Sequence, residues 1–258
     1  MTKIIAYLIN LDDSTERLAT ATAHLQDRGI AFTRIPAVDG RKASPADFPA
    51  YDDAASQRHM GRGVMGGELG CFYSHLACAQ ALLDSDADYA LVFEDDVIAS
   101  PDLMPVLRQA LNWLEHSAYH GWRLINLGNP ALKLAKPLVT LGQGTPHTLC
   151  RADYFPMSAI TLCWSRKGAA EFIAFSQHIF APYDNMLQYW LCRSGGGLSF
   201  TPPLSRITGV VSDIEWQSPD KNRRRTFGRS RFYGLRKQRR LWVNKFWAVW
   251  RKLSGWRA

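Results

Sequence analysis

Three consecutive carboxylates end a short apolar segment of this 258-residue chain. Glu94, Asp95 and Asp96 follow residues 89–93, which have the length and composition of a buried strand. Three like charges repel one another unless a positive charge lies among them, and divalent cations bind carboxylate oxygens readily. Because side chains alternate along an extended strand, we predict that Glu94 and Asp96 share a metal ion and that Asp95 points to the opposite face. The alternative is a polar turn whose acids cap the following helix.

A second polar group lies just before this strand, in the segment 67–75. The segment predicts the start of a helix with Glu68 in its first turn, where a carboxylate is favourable. His75 then lies about two turns further along the same helix. Considered by itself, the pattern is that of an ordinary helix whose histidine is a hydrogen-bonded core residue.

Strands and helices alternate along most of the chain. Predicted strands cover 1–10, 32–35, 89–93, 123–127 and 158–164, and predicted helices cover 13–28, 68–83, 102–116, 166–178 and a segment starting near Asp184. Residues 41–67 are rich in Gly, Asp, Ser and Pro and predict a mobile loop, whereas 128–150 predict a hairpin. The alternation indicates an α/β fold with a mostly parallel sheet. Ligands bind beyond the carboxyl ends of the strands in such sheets, where the acids at 94–96 lie.

Charge is divided unevenly along the chain, whose formal net charge is +8. Residues 221–258 contain 14 basic residues and no acidic residue, whereas the first 220 residues contain 17 basic and 23 acidic residues. The sequence therefore predicts an acidic domain over 1–220 and a basic C-terminal tail over 221–258.

The tail carries a helical repeat of large apolar side chains. Its members recur on one face of a helix and are Trp242, Phe246, Val249, Trp250 and Leu253. Basic residues combined with tryptophan are typical of a helix that lies in an anionic membrane surface, which is our prediction for the tail. One alternative is a terminal helix docked on the domain with its charges solvated. Nucleic acid is the other alternative, but the acidic domain offers no second basic surface to it, and we predict no nucleic-acid partner.

The five cysteines are odd in number and lack the spacing of a metal site, which predicts a reducing compartment. The first residues lack the pattern of a signal peptide, and no apolar stretch approaches the ~20 residues of a membrane-spanning helix. We therefore expect a cytoplasmic protein that is peripheral on the inner face of the cell membrane.

Taken together, the two central motifs resemble the signature of glycosyltransferase family 25. This family contains the lipopolysaccharide-core and lipooligosaccharide sugar transferases, with the collagen galactosyltransferases as distant members. The motifs are Glu-x-Gly-Cys-x-x-Ser-His over 68–75 and Phe-Glu-Asp-Asp-Val over 93–97. Further matches, which extend the resemblance over about residues 3–220, are Ile9–Leu11, Glu16–Arg17, Pro36–Gly40, Trp164–Ala169 and Pro182–Asp184.

The resemblance implies a GT-A-like, Rossmann-type domain that binds a nucleotide sugar and adds a hexose to a lipopolysaccharide- or lipooligosaccharide-type glycan. Galactose from UDP-galactose is the leading donor, and Mn²⁺ or Mg²⁺ is the expected ion. Glu94 and Asp96 stand where such enzymes place an Asp-x-Asp metal motif. The residues expected to meet the nucleotide are Asn10, Arg17, Asp39 and Asp95.

The resemblance also implies an inverting transfer, which requires a general base for the acceptor hydroxyl. Asp184 matches the family's Pro-x-Asp position and is the first candidate, although an acid after proline at a helix start is also ordinary capping. Glu68 and His75 are the other candidates.

Two rival functions use the same features. A metal-dependent phosphohydrolase or nucleotidyltransferase would employ the same carboxylates, and it would cleave a nucleotide at a rate that no sugar acceptor raises. A non-catalytic, membrane-associated binding protein would not bind Mn²⁺ together with UDP, and the intact acids at 94–96 argue against it.

Overall fold

An eight-stranded sheet organises the protein, whose computed structural model describes residues 2–128, 131–209 and 228–254. The strands are β1 (Ile4–Asn10), β2 (Thr33–Pro36), β3 (Tyr89–Glu94), β4 (Val97–Ala99), β5 (Leu124–Asn126), β6 (Lys133–Leu141), β7 (His147–Tyr154), β8 (Thr161–Ser165), β9 (Gly197–Thr201) and β10 (Ser205–Ile207). The helices are α1 (Thr15–Asp27), α2 (Asp53–Met60), α3 (Gly66–Asp84), α4 (Leu103–Glu115), α5 (Arg166–Phe175), α6 (Tyr183–Ser194) and α7 (Tyr233–Ser254).

The strand order in the sheet is β2-β1-β3-β8-β5-β9-β7-β6. Six of these strands run in one direction, and only β8 and β7 oppose them. The predicted α/β class with a mostly parallel sheet is therefore confirmed. The remaining strands, β4 and β10, form a separate antiparallel pair, and β4 directly follows the three acids.

Both faces of the sheet are covered, which explains why β3 is apolar over residues 89–93. Ala90 and Val92 pack into one core together with residues of α3, α5 and α6. Leu91 and Phe93 pack into a second core on the other face, against α1 and α4. Strict alternation therefore directs each successive side chain of β3 to the opposite core.

The prediction of a mobile loop over 41–67 is wrong. The segment contains a 3-10 turn, Pro45–Asp47, and the eight-residue helix α2. Asp52 caps α2, because its side chain accepts a hydrogen bond of 2.8 Å from the Ala55 N–H. The helix is too short to show a clear apolar period between flanks rich in Gly and Pro.

The tail forms helix α7, which packs against α2, α6 and β7. Asn244 is buried at this contact, where its amide donates to Gln188 Oε1 (3.2 Å) and accepts from Arg193 (3.0 Å). The predicted boundary at residue 220 lies outside the described residues. Within the described ranges, no helix combines the length and apolar character needed to cross a bilayer.

Candidate active site

An open cavity of about 670 Å³ lies at the carboxyl ends of β1 and β3. These neighbouring parallel strands end at the same sheet edge, which is where α/β proteins bind ligands. The polar residues that line the cavity are Asn10, Arg17, Asp39, Arg41, Cys71, Ser74, His75, Glu94, Asp95 and Asp96.

Asp95 is fixed by two side chains from the start of the chain. Asn10 Nδ2 donates to Asp95 Oδ2 at 2.7 Å, and the Arg17 guanidinium forms an ion pair with Asp95 Oδ1. Asn10 is itself oriented, because its Oδ1 accepts from Arg34 Nε at 3.2 Å. Asp95 therefore joins β1, α1 and the end of β3.

Glu94 points to the opposite side of the sheet, towards α3. Its Oε1 lies 3.1 Å from Nε2 of His75, which is buried. The imidazole stacks on the Tyr183 ring, with ring centroids 4.2 Å apart and planes 14° apart. Because a carboxylate can only accept, the Nε2 atom donates this hydrogen bond. The stacking and the hydrogen bond together hold the His75 ring beside the cavity.

Asp96 has a carboxylate oxygen that could accept a hydrogen bond or bind a metal ion. Burial and, to a smaller extent, the nearby Glu94 charge together raise the pKa of Asp96 to about 6, although Arg17 opposes the rise. Its Oδ1 is buried without a hydrogen-bond partner in the described part of the chain. Its Oδ2 lies 4.0 Å from the Arg17 guanidinium. An oxygen of this kind, beside a second carboxylate, fits a cation.

The residues at the cavity offer two sets of metal ligands. Glu94 and Asp96 supply oxygen ligands, which hard cations such as Mg²⁺ prefer. Cys71, His75 and Glu94 form the second set, with one ligand atom from each within 4.8 Å of the others. Sulfur and nitrogen ligands suit softer ions such as Zn²⁺. Cys71 was not predicted as a ligand, although its spacing of four residues from His75 places both on one helix face.

Arg41 adds a positive charge at the rim and was not predicted. Its Nε donates to Asp39 Oδ1 (2.8 Å), and a terminal nitrogen lies 2.7 Å from Asp39 Oδ2. These hydrogen bonds lower the pKa of Asp39 to about 2. Asp39 is predicted to meet the nucleotide, and it also holds Arg41 at the cavity.

Small residues let the loop before Arg41 lie directly on α3. A Cβ atom on Gly40 would be 1.9 Å from the Gly66 carbonyl oxygen, and one on Gly70 would be 2.4 Å from the Val38 carbonyl oxygen. Ser74 then ties the two segments, since its hydroxyl accepts from the Val38 N–H (2.8 Å) and donates to the Gly70 carbonyl (2.7 Å). The glycines and serine of the motif therefore shape one wall of the cavity.

Glu68 is buried in an ion pair and is not one of the cavity-lining residues. Its two carboxylate oxygens each lie 2.8 Å from an Arg62 nitrogen, and one of them also accepts from the Met65 N–H at 3.0 Å. The geometry favours a structural role for Glu68 over the predicted role as a general base.

Replacement of Glu68 by glutamine is expected to lower the free energy of unfolding by about 3–5 kcal/mol, because the Arg62 side chain, only 11% exposed, would lose its charge partner. Urea denaturation monitored by circular dichroism measures this change. Asp27→Asn is the matched control, since its carboxylate pairs with Arg28 but is exposed, and a change below about 1 kcal/mol is expected there. A Glu68→Gln variant with unchanged stability would contradict the structural assignment.

Asp184 lies in the first turn of α6 and is half-buried. Pro182 is the N-cap residue, so Asp184 does not occupy the cap position. The preceding residue, Tyr183, stacks on His75, whereas Asp184 is not among the described residues that line the cavity. The other seven predicted site residues line the cavity, and they are Asn10, Arg17, Asp39, His75, Glu94, Asp95 and Asp96.

Comparisons with known proteins agree with the motifs. The sequence profile described as "Glycosyltransferase family 25 (LPS biosynthesis protein)" matches residues 3–141. Procollagen galactosyltransferase 2 of Mus musculus is 27% identical over 241 residues, which cover 81% of this chain and 37% of that protein. A Bos taurus protein called probable inactive glycosyltransferase 25 family member 3 is 28% identical over 229 residues, which cover 80% of this chain and 36% of that protein.

The chain thus spans little more than a third of the length of these curated relatives. Among solved structures, the glycosyltransferase GlyE of Streptococcus pneumoniae TIGR4 aligns with 96% of this chain and 62% of its own, at a TM-score of 0.42 and 11% identity.

Proposed function

The chain belongs to glycosyltransferase family 25, as its motifs predicted, and from this membership we propose that it transfers a hexose from a UDP-sugar to a glycan acceptor. The observation that carries the proposal is the meeting of both family motifs in one cavity at the carboxyl ends of β1 and β3. Galactose is the proposed hexose because a relative is named a procollagen galactosyltransferase. A lipopolysaccharide- or lipooligosaccharide-type acceptor is proposed because the matching family is described by that biosynthesis.

The end of β1 is the proposed nucleotide subsite. Asn10 and Arg17 hold Asp95 rigidly there, and such a fixed carboxylate can accept hydrogen bonds from a ribose or a base. Arg41 lies at the same cavity with its guanidinium directed by Asp39, and a guanidinium can pair with a diphosphate. These side chains are mutually oriented before any donor binds, which reduces the entropy lost on binding.

Glu94 and Asp96 are the residues proposed to hold a divalent cation, Mn²⁺ or Mg²⁺. The buried, unpartnered Asp96 oxygen and the raised pKa of that carboxyl both fit such an ion. A bound cation would neutralise the negative charge that develops on the leaving diphosphate. His75 fixes the Glu94 carboxylate by its hydrogen bond and so limits the positions that this oxygen can take.

Asp184 is the proposed general base of an inverting transfer. Its carboxylate would remove the proton of the acceptor hydroxyl while that oxygen attacks the anomeric carbon and the UDP oxygen leaves. The support is its family motif and its place beside Tyr183, which contacts the His75 ring. Among the three sequence candidates, Glu68 is engaged by Arg62 and His75 is buried under Tyr183.

A donor panel tests the proposed function. A ligand that binds the folded protein stabilises it, by about 2.7 kcal/mol at about 100 times its Kd. We therefore expect UDP-galactose, as the proposed donor, to stabilise the protein thermally in the presence of Mn²⁺ more than UDP-glucose or GDP-mannose does. Chelation of the ion with EDTA should remove the stabilisation. Incorporation of labelled galactose into a truncated lipooligosaccharide then measures transfer.

Two results would contradict the proposal. Cleavage of the nucleotide at a rate that no acceptor raises would favour the phosphohydrolase or nucleotidyltransferase. Stabilisation by UDP and Mn²⁺ without transfer to any acceptor would place this chain with the relatives that are named inactive.

A further inference from the structure

Helix α7 exposes its large apolar side chains. Leu235, Trp242, Phe246 and Leu253 are between 61% and 80% exposed, and Val249 and Trp250 are exposed as well. At 3.6 residues per turn, the side chains of residues 235, 242, 246, 249 and 253 fall within an arc of about 60°. They form one continuous apolar stripe, named the outer stripe below.

The opposite side of α7 contacts the domain through buried polar and small residues, together with the half-buried Tyr233, Leu241 and Trp247. Asn244 and Ala248 are buried, and Arg251 donates a hydrogen bond to the Arg193 carbonyl. A docked amphipathic helix ordinarily buries its apolar stripe and exposes its polar face. The hydrogen bonds of Asn244 to Gln188 and Arg193 hold this helix in the reverse orientation.

Positive charge borders the outer stripe on both sides. By helical position, Arg239 lies along one edge, and Lys245 and Lys252 lie along the other. All three are exposed, and Lys245 Nζ lies 5.8 Å from the centre of the Trp242 ring. No acidic residue occurs anywhere from 221 to 258 to offset these charges.

We propose that the outer stripe of α7 is a binding surface for an anionic lipid bilayer, on which the helix lies flat. Apolar side chains inserted below the headgroups lose contact with water, while basic residues at both edges meet the lipid phosphates. A second copy of the chain is a poorer occupant, because like charges at the edges of two such stripes would repel one another. The phosphates of a nucleic acid would pair with the basic side chains, but the apolar arc would remain exposed to water.

The proposal goes beyond sugar transfer and is independent of it. In a cell, such binding would hold the protein at the inner face of the membrane, beside lipid-linked acceptors. Because vesicle binding requires no donor and no turnover, a failure of the proposed enzymatic function would leave the binding result unaffected.

Vesicle flotation with the full chain tests the surface. Wild-type protein is expected to float with vesicles of phosphatidylcholine and phosphatidylglycerol, to remain unbound with phosphatidylcholine alone, and to be released by high salt. Phe246→Glu is expected to weaken binding to the anionic vesicles by about tenfold or more, since it removes an inserted aromatic ring and adds a negative charge.

The matched control is Ile207→Glu, which alters a residue of similar exposure (58% against 61% for Phe246) on β10. It should bind like the wild type, and circular dichroism should show that both variants keep their helix content. Lys245→Glu combined with Lys252→Glu should also weaken binding to anionic vesicles.

Four outcomes would overturn the proposal. They are wild-type binding that does not depend on phosphatidylglycerol, unchanged binding of Phe246→Glu, self-association that Phe246→Glu abolishes, and RNA binding that competes with the vesicles.

Discussion

Replacement of Asp96 by asparagine is expected to lower cation-dependent transfer by about a thousandfold, because the ion would lose a ligand that helps to stabilise the leaving diphosphate. Asp96 is suited to this role because its Oδ1 has no hydrogen-bond partner within the described residues. The initial rate with saturating donor, measured over a series of Mn²⁺ concentrations, gives the loss. Mn²⁺ binding measured without any substrate reports on the site itself.

The same variant should not be less stable than the wild type in the absence of a cation. Burial raises the pKa of Asp96 to about 6, so the ionised carboxylate opposes folding at neutral pH. A neutral amide of the same shape removes this cost. Thermal unfolding in EDTA therefore separates a loss of function from a loss of folding.

Cys71→Ser is the control that distinguishes the two ligand sets. If Glu94 and Asp96 hold the ion, Cys71→Ser should retain most of its Mn²⁺ affinity. If the ion lies among Cys71, His75 and Glu94 instead, Cys71→Ser will lose the affinity and Asp96→Asn will keep it. Glu94→Gln should weaken binding in either case, because Glu94 belongs to both sets.

Asp184→Asn is expected to reduce kcat by about a hundredfold or more and to leave the affinity for UDP-galactose unchanged. The reason is that an amide cannot remove a proton from the acceptor, whereas the proposed donor subsite is in the cavity at the ends of β1 and β3. Single-turnover kinetics and donor titration measure the two quantities separately.

Asp102→Asn provides the matched control, because Asp102 is also a half-buried acid at a helix start and its side chain makes no capping hydrogen bond. It should retain normal kcat. Near-normal turnover of Asp184→Asn would remove it as the base. A larger loss of kcat in His75→Gln, with Mn²⁺ affinity unchanged, would transfer the role to His75.

Much of the fold could be predicted because local patterns and global packing agree. The apolar run of β3 indicated a strand buried on both faces, and Leu91 and Val92 do pack into different cores. The same strand predicted opposite directions for Glu94 and Asp95, and these side chains contact α3 and α1 respectively.

The features that escaped prediction depend on contacts between distant segments. Arg17 meets Asp95 across 78 residues of sequence, and only the adjacency of β1 and β3 brings them together. Arg41 reaches the cavity because Gly40 permits the loop to lie against α3. The stripe of α7 was evident in the sequence, but its outward orientation depends on the hydrogen bonds of Asn244 to α6.

The position of Arg17 bears on how many ions the site can hold. Glu94, Asp95 and Asp96 carry three formal negative charges when ionised, and the single Arg17 guanidinium among them leaves a sum of −2. One divalent cation balances that sum, and a second would leave an excess of positive charge. Phosphatases and nucleases commonly use two metal ions about 4 Å apart. On this charge balance the proposed metal site would hold one ion, so titration with Mn²⁺ to a single equivalent would separate the proposed transferase from a binuclear phosphohydrolase.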